Sequence, residues 1–301
     1  MKITKFSALI AASALGLTMT ACGSDPTSGT KSASDTITVG SAAFPENEII
    51  AEIYAQALEA KGVKVTKKLN IGAREAYIPA LTAGEIDLIP EYTGNLMSYF
   101  DKTATATTAA DVETVLTSKV PAGLEVLDPA KAEDKDSLNV TAEFASKNNL
   151  KTIADLKGVS NLRLAANPEF KERPFGIPGL EKIYGVTGIT FVPISDGGGP
   201  ATLKALLDNK VQVADIYSTT PSILENKLVT LEDPQSMFSA QNVIPLISKK
   251  KASAKVQDIL NKISAALTTA DLLDLNSKNQ GTDKTAPATL AKQWLTEKGL
   301  I

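Results

Sequence analysis

The residue types that most enzymes use for catalysis are missing from this chain. Its 301 residues include no histidine and a single cysteine, Cys22. These counts exclude Ser-His-Asp and Cys-His catalysis, metal sites made of histidine or cysteine, and a disulfide within the chain. Acidic residues such as Glu46 and Glu91 remain, but no spacing sets two carboxylates opposite each other across a pocket. We therefore expect no catalytic residue, metal or cofactor, while a secreted enzyme that uses carboxylates or lysines stays open as an alternative.

Aromatic rings are the second group with chemical meaning, because their faces hold a quaternary ammonium, which offers no hydrogen-bond donor. The rings that fall in predicted loops are Phe44, Tyr77, Tyr92, Phe170, Phe175 and Tyr217. Tyr92 and Tyr217 each follow a buried strand and precede small polar residues, namely Thr93 in one case and Ser218 and Thr219 in the other. We expect these two rings to line a binding cleft. Core packing is the alternative for each ring, and it is favoured for Tyr77 and Phe175.

Basic residues are too dispersed to form a nucleic-acid surface. Lysine and arginine total 31 against 34 aspartate and glutamate, and the longest basic run covers only residues 249–251. Phosphate neutralisation needs a dense basic face, so this class of partner is excluded. Arg173 is the one basic residue in a predicted loop with aromatic neighbours. Its guanidinium can pair with a ligand carboxylate, and a surface salt bridge is the alternative.

The apolar pattern from residue 36 onward switches repeatedly between strand and helix periods, which indicates an α/β fold with mainly parallel sheets covered by helices on both faces. A polar stretch at 128–137 and a stretch without helical period near 229–236 interrupt the alternation. We therefore predict a two-lobed clamp, with lobe I at 36–132 and 234–301 and lobe II at 133–233. Ligands bind such sheets at the carboxyl ends of the strands. The predicted cleft loops are SAAFPEN, NIGAREAY, PEYTGN, NPEFKER, SDGGGP and YSTTP.

The N-terminus is typical of an export signal. Two lysines precede an apolar run of small residues that is too short to span a membrane and ends at Cys22. Met19-Thr20-Ala21-Cys22 resembles a bacterial lipobox, in which the cysteine is lipidated. We predict a signal peptide over residues 1–21 and a lipidated Cys22 at the head of a flexible tether over residues 22–35.

Several segments together resemble one protein family, the osmoprotectant substrate-binding lipoproteins of ABC importers. GEIDLIPEYTGN, PGLEKIYG, VQVADIYSTTPSI and LVTLEDP carry the resemblance, in the order of the family. It implies a two-lobed periplasmic-binding-protein clamp of the type II kind, with glycine betaine, choline or carnitine as solute. It also implies that Tyr92 and Tyr217 are cage walls, that Arg173 meets a ligand carboxylate and that Asn47 donates to it.

Asn47 stands where the family usually has glutamine, and the chain departs from the family at three further site positions. Leu203 and Gln241 stand where family members have cage tyrosines, and Ala42 replaces a lysine. Phe44, Tyr77 or Phe170 could fill part of the gap. The full predicted contact set is Phe44, Asn47, Tyr77, Tyr92, Thr93, Phe170, Arg173, Tyr217, Ser218 and Thr219. A different zwitterionic or cationic solute, such as ergothioneine or a polar amino acid, remains an alternative.

Taken together, these features predict a non-enzymatic, monomeric solute-binding protein. It is expected on the outer face of the cytoplasmic membrane, held by a lipid, where it delivers a quaternary-ammonium solute to a permease powered by a separate ATPase. A sensory or adhesive lipoprotein that keeps the clamp but feeds no transporter is a further alternative.

Overall fold

The computed structural model describes residues 36–301. The signal peptide, Cys22 and the tether lie outside the described residues. In the described part, the strands are β1 (Thr36–Gly40), β2 (Lys64–Lys68), β3 (Leu88–Tyr92), β4 (Leu124–Val126), β5 (Leu138–Val140), β6 (Arg163–Ala166), β7 (Thr190–Pro193), β8 (Val213–Asp215), β9 (Val229–Thr230) and β10 (Val243–Ser248).

Helices connect most of these strands. The α-helices are α1 (Pro45–Ala60), α2 (Arg74–Ala83), α3 (Thr93–Phe100), α4 (Ala109–Lys119), α5 (Ala142–Asn148), α6 (Ile177–Gly179), α7 (Pro200–Leu207), α8 (Ser222–Glu225), α9 (Ala254–Ala266), α10 (Thr269–Gln280) and α11 (Pro287–Glu297). Short 3₁₀ helices cover Ile153–Gly158 and Pro168–Lys171, and α6 continues as one π-helical segment, Leu180–Tyr184. No helix within residues 36–301 combines the length and apolar character needed to cross a membrane.

The strands form two five-stranded sheets. The first has the order β2-β1-β3-β10-β4 and the second the order β7-β6-β8-β5-β9. We refer to each sheet with its covering helices as the first and the second lobe. The two lobes confirm the predicted fold class, and the chain passes between them twice, from β4 to β5 and from β9 to β10. The residue bounds predicted for the lobes stay a prediction.

The sheets are less parallel than the sequence predicted. β1 pairs in parallel with β2 and β3, but β10 lies between β3 and β4 and is antiparallel to both. In the second sheet β6 is parallel to β7 and β8, whereas β5 is antiparallel to β8 and β9. The reason is topological: β5 and β10 each enter a lobe from the other lobe, so no crossover helix dictates a parallel direction.

Helices cover both faces of the first sheet, as predicted. Buried side chains of α1, α9, α10 and α11, including Trp294, form one apolar cluster, and those of α2, α3 and α4 form another on the opposite face. Helix α1 begins with Pro45 in its first turn and ends before Gly62, whose φ of 76° suits glycine. This packing holds the first turn of α1 rigidly at the end of β1, next to the cleft.

Candidate ligand-binding site

A cavity of about 310 Å³ lies where strands from both sheets end at their carboxyl termini. Each of the six predicted cleft loops contributes to its lining, with Phe44, Tyr77, Tyr92, Arg173, Gly197 and Tyr217 as one representative each. The loop prediction is therefore confirmed. Parallel strands end at a common edge, which brings loops that are distant in sequence to one place.

Three aromatic rings stand together at the cavity. The ring of Phe44, which directly precedes α1, lies 6.0 Å from the ring of Tyr92 at the end of β3, with 34° between their planes. The same Phe44 ring lies 5.3 Å from the ring of Tyr217, edge to face at 69°. Phe44 and Tyr92 belong to the first lobe and Tyr217 to the second. The three rings thus form an aromatic wall that crosses the gap between the lobes.

A glycine permits this close approach of the lobes. Gly197 has a φ of 64°, and a Cβ atom built on it would lie 3.0 Å from the Cβ of Phe44 and 3.6 Å from the ring of Tyr217. A larger side chain would push the rings apart. The absence of a side chain at Gly197, in the glycine-rich turn before α7, therefore lets the backbone of the second lobe approach Phe44 of the first lobe.

Behind the aromatic wall, Glu46 joins the two lobes. Its carboxylate accepts hydrogen bonds from the hydroxyl of Tyr92 at 2.7 Å, from the hydroxyl of Thr219 at 2.6 Å and from the Nδ2 of Asn276 at 2.7 Å. Tyr92 and Asn276 lie in the first lobe and Thr219 in the second. Burial raises the pKa of Glu46 above its usual value, although these donors act to lower it.

Two acidic residues from the first crossing between the lobes, Asp134 and Asp136, also line the cavity. Asp134 accepts hydrogen bonds from the amide of Thr219 and the hydroxyl of Ser218, at 3.0 and 3.1 Å. Burial and then the charge of nearby Glu46 raise the pKa of Asp134 well above its ordinary range. Asp136 accepts a hydrogen bond of 2.8 Å from the Nδ2 of Asn95.

A further buried acid stands next to this pair. Asp215, the last residue of β8, accepts a hydrogen bond of 3.2 Å from the amide of Ser137. Burial, followed by the charge of Asp136, raises the pKa of Asp215 well above the usual value. The region around the cavity therefore holds two pairs of neighbouring carboxyls, Glu46 with Asp134 and Asp136 with Asp215.

The two arginines that line the cavity are each paired with a glutamate. The guanidinium of buried Arg74 donates to both carboxylate oxygens of Glu91, at 2.8 and 2.7 Å, and the hydroxyl of Tyr77 donates to the same carboxylate. Arg173 of the second lobe pairs with Glu75 of the first lobe at 3.2 Å. The cavity thus contains basic groups whose charges are already compensated.

The structure brings five of the sequence-predicted contact residues together in the cavity lining: Phe44, Tyr77, Tyr92, Arg173 and Tyr217. For Tyr77 the sequence left a cleft-lining role and core packing open, and the residue does both: it lines the cavity and is almost fully buried.

Asn47 and Phe170 do not line the cavity. The Oδ1 of Asn47 accepts from the amide of Ala42 and its Nδ2 donates to the carbonyl of Pro90, so this side chain fastens α1 to the end of β3. Phe170 is only 2% exposed and packs in the apolar core of the second lobe. Their placement does not support the expected ligand contacts, because both side chains are fully used inside the fold.

Thr93, Ser218 and Thr219 also lie outside the lining. The hydroxyl of Thr93 donates to the carbonyl of Ala240, while those of Ser218 and Thr219 donate to Asp134 and Glu46. These small polar residues support the residues that do face the cavity.

Sequence reasoning missed several lining residues: Arg74, Asn95, Asp134, Asp136, Asn167 and Glu169. Most of them lie in loops that were predicted to form the cleft, so the sequence predicted their location but not that their side chains face the cavity. The acids on the crossing could have been suspected because a segment that passes between two lobes runs under their cleft. Gln241, which replaces a family tyrosine, is buried and binds the backbone amide of Asn95 at 2.9 Å.

This arrangement suits a small organic cation or zwitterion better than a metal ion. Among residues 36–301, no group of three or more histidine, cysteine, aspartate or glutamate residues is arranged to hold a metal. Ring faces attract an alkylated ammonium through their π electrons, and carboxylates nearby add charge attraction without having to coordinate it.

Comparisons with known proteins agree with this geometry. The profile of the family described as the substrate binding domain of ABC-type glycine betaine transport system matches residues 35–297. The glycine betaine-binding protein YehZ of Escherichia coli (strain K12) is 29% identical over 89% of this chain and 92% of its own length. The carnitine transport binding protein OpuCC of Listeria monocytogenes serotype 1/2a (strain 10403S) is 26% identical over 97% and 95%.

The fold is shared with solved structures as well. A structure described as a glycine betaine/carnitine/choline ABC transporter superposes with a TM-score of 0.68, at 22% identity, over 88% of this chain and 99% of its own. The family profile covers nearly all of the described residues, so the sequence establishes the family. The superposition independently supports the two-lobed fold. The chain therefore belongs to the family of substrate-binding domains of ABC-type glycine betaine transport systems.

Proposed function

We propose that this protein binds a quaternary-ammonium solute, such as choline, glycine betaine or carnitine, between its lobes and delivers it to a membrane permease. The observation that carries the proposal is the aromatic wall of Phe44, Tyr92 and Tyr217, whose rings come from both lobes and meet at one cavity. A cation held against these faces makes favourable contact with both lobes at once. Solute binding and lobe closure are therefore the same event in this proposal.

The remaining lining residues have supporting roles. Tyr77 is positioned at the cavity by its hydrogen bond to Glu91. Arg173 donates to an oxygen at the polar end of the solute while it keeps its contact with Glu75. The two crossings near residues 128–137 and 229–236 act as the hinges between lobe I and lobe II.

The proposal extends to the setting of the protein. Lipidation of Cys22 holds the monomeric protein on the outer face of the cytoplasmic membrane, at the cell surface or in the periplasm, and residues 22–35 form the tether. Its partner is an ABC permease with its ATPase. In this proposal the protein binds and releases its solute unchanged, and the carboxyls at the cavity serve as counter-charges.

Calorimetric titration tests the proposal. The panel is choline, glycine betaine, carnitine and dimethylbutanol, the uncharged carbon counterpart of choline. We expect at least one ammonium compound to bind with a dissociation constant in the micromolar range and to raise the melting temperature, while dimethylbutanol does neither. Equal binding of dimethylbutanol would contradict a cation site.

Two further compounds test the alternative solutes. Ergothioneine carries a trimethylammonium group on a larger body, and a polar amino acid carries a primary ammonium. Binding of the polar amino acid alone, with no response to any trimethylammonium compound, would overturn the proposal. Binding of ergothioneine alone would keep the ammonium site and change the solute.

A further inference from the structure

The charges of the cavity do not balance. Arg74 is compensated by Glu91 through two hydrogen bonds, and Arg173 is compensated by Glu75. Both arginines therefore contribute no net charge to the cavity once their partners are counted. The other charged side chains in the lining are all acidic, namely Asp134, Asp136 and Glu169.

Asp134 and Asp136 receive only neutral donors. They are 7% and 6% exposed, so neither carboxylate is well hydrated. Their hydrogen bonds come from Thr219, Ser218 and Asn95. Across residues 36–301 neither forms an ion pair with a lysine or arginine, and the lysine between them in sequence pairs with Glu133 instead. Without a cationic partner such a buried acid is costly to ionise, and a bound cation favours its ionised form.

We propose that Asp134 and Asp136 make this cleft select solutes with a net positive charge, such as choline, over zwitterions such as glycine betaine. The proposal rests on the quaternary-ammonium function argued above and specifies the charge class of its solute. Both ligands offer the same trimethylammonium group to the aromatic wall, so this wall does not distinguish them. The acids do, because they attract the ammonium of either ligand but repel the carboxylate that only glycine betaine carries.

The size of the cavity makes this repulsion effective. In a space of about 310 Å³ the two ends of a small betaine lie within a few ångströms of the same side chains. At such separations and in a partly dry site, charge interactions are several-fold stronger than in water. Arg173 offsets part of the repulsion for a carboxylate, but it does so while already shared with Glu75.

The test compares the affinities of choline and glycine betaine by calorimetry at neutral pH and low salt. The variants are Asp136→Asn and Asp134→Asn, each of which keeps the shape of the side chain and an oxygen that can accept a hydrogen bond. Asp258→Asn is the matched control, since Asp258 is an exposed acid of α9 that pairs with Lys262 and does not line the cavity. Using two aspartate variants keeps the test decisive if one of them folds poorly.

We expect the parent protein and the control to bind choline at least about tenfold tighter than glycine betaine. In either aspartate variant choline affinity should fall about tenfold while glycine betaine affinity stays constant or rises. Glycine betaine binding as tightly as choline in the parent would overturn the inference and leave the proposed function standing. So would an unchanged preference in both variants. If no quaternary-ammonium compound binds, the proposed function itself fails, and the inference fails with it.

Discussion

Phe44 of the first lobe and Tyr217 of the second lobe meet edge to face, with their ring centroids 5.3 Å apart. This contact spans the gap between the lobes, while Tyr92 approaches the same Phe44 ring from the first lobe. Phe44 is therefore the central member of the aromatic wall; the sequence predicted its place in a cleft loop but not which rings it would contact.

Replacing Tyr217 with alanine is expected to weaken binding of the best ammonium ligand roughly tenfold, because one ring face contributes about 0.5–2 kcal/mol to holding a cation. Tyr217→Phe should bind almost normally, since its hydroxyl only accepts a hydrogen bond from Asn167. Tyr92→Phe should cost more, because it removes a donor from buried Glu46. Calorimetry on folded variants measures all three.

The control for the ring variants is Tyr99→Ala. Tyr99 packs against Phe100 in the first lobe and does not line the cavity. Its loss should leave the dissociation constant unchanged. Unaltered binding in both Tyr92→Ala and Tyr217→Ala would show that the aromatic wall does not hold the solute.

The ion pair between Arg173 and Glu75 predicts a crossed effect on ligands that carry a carboxylate. Arg173→Gln should weaken glycine betaine about three- to tenfold and choline less, because only glycine betaine has an anionic end. Glu75→Gln should instead strengthen glycine betaine, since it frees the guanidinium. Glu75 is half exposed, so either change should alter the free energy of unfolding by less than about 1 kcal/mol. Equal effects of Arg173→Gln on both ligands would argue that the arginine acts on the fold alone.

The buried acids predict an unusual dependence of stability on pH. Asp134 faces Glu46, and Asp215 faces Asp136 with Arg173 nearby; burial is the main cause that raises the pKa of Glu46, Asp134 and Asp215. Above the ordinary aspartate value of 3.8 the folded protein therefore holds more protons at these groups than the unfolded chain. The contribution of these groups to the free energy of unfolding thus falls as pH rises toward neutrality.

Urea unfolding between about pH 5 and pH 8 measures this contribution. The parent should lose stability relative to a variant with Asp134→Asn and Asp215→Asn as the pH increases, because the amides do not ionise. A parent that gained stability over the variant with rising pH would contradict the raised pKa values. Because a bound cation favours the ionised carboxyls, choline should also bind more tightly at the upper end of this range.

Cys22 is predicted to carry the membrane anchor. It directly follows the apolar run and precedes the polar tract, so Cys22→Ser should release the protein from the membrane fraction or leave the signal peptide uncleaved. Cell fractionation and the mass of the mature protein measure this result. A Cys22→Ser protein that is processed normally and stays in the membrane fraction would rule out the lipid anchor.

Much of the architecture was readable from periodicity. The alternation of strand and helix patterns predicted two α/β units, and the segments after buried strands predicted six loops, each of which contributes to the cavity lining. Tyr92 and Tyr217 could be selected because the sequence places each at the end of a buried strand; in the structure Tyr92 is the last residue of β3 and Tyr217 lies two residues beyond β8. The direction of β5 and β10 could not be predicted, since local patterns carry no information on which neighbour a strand will join.

The direction of individual side chains in the loops could not be predicted from the sequence either. Asn47 and Phe170 occupy predicted cleft loops, yet one turns inward to satisfy backbone groups and the other to fill the core of its lobe. A loop has no period that assigns its residues to one face, so burial and hydrogen bonding in the folded state decide where each side chain lies.

The sequence by itself determined the class of protein, because the motifs around Tyr92 and Tyr217 and the family match over residues 35–297 do not depend on three-dimensional contacts. Only the tertiary structure decided the electrostatics of the cleft. Asp134 and Asp136 belong to a charge-mixed segment that looks like a solvated connection, yet in the fold this crossing from β4 to β5 contributes both side chains to the cavity lining. Whether a charge is compensated depends on its neighbours in space, and those neighbours are distant along the chain.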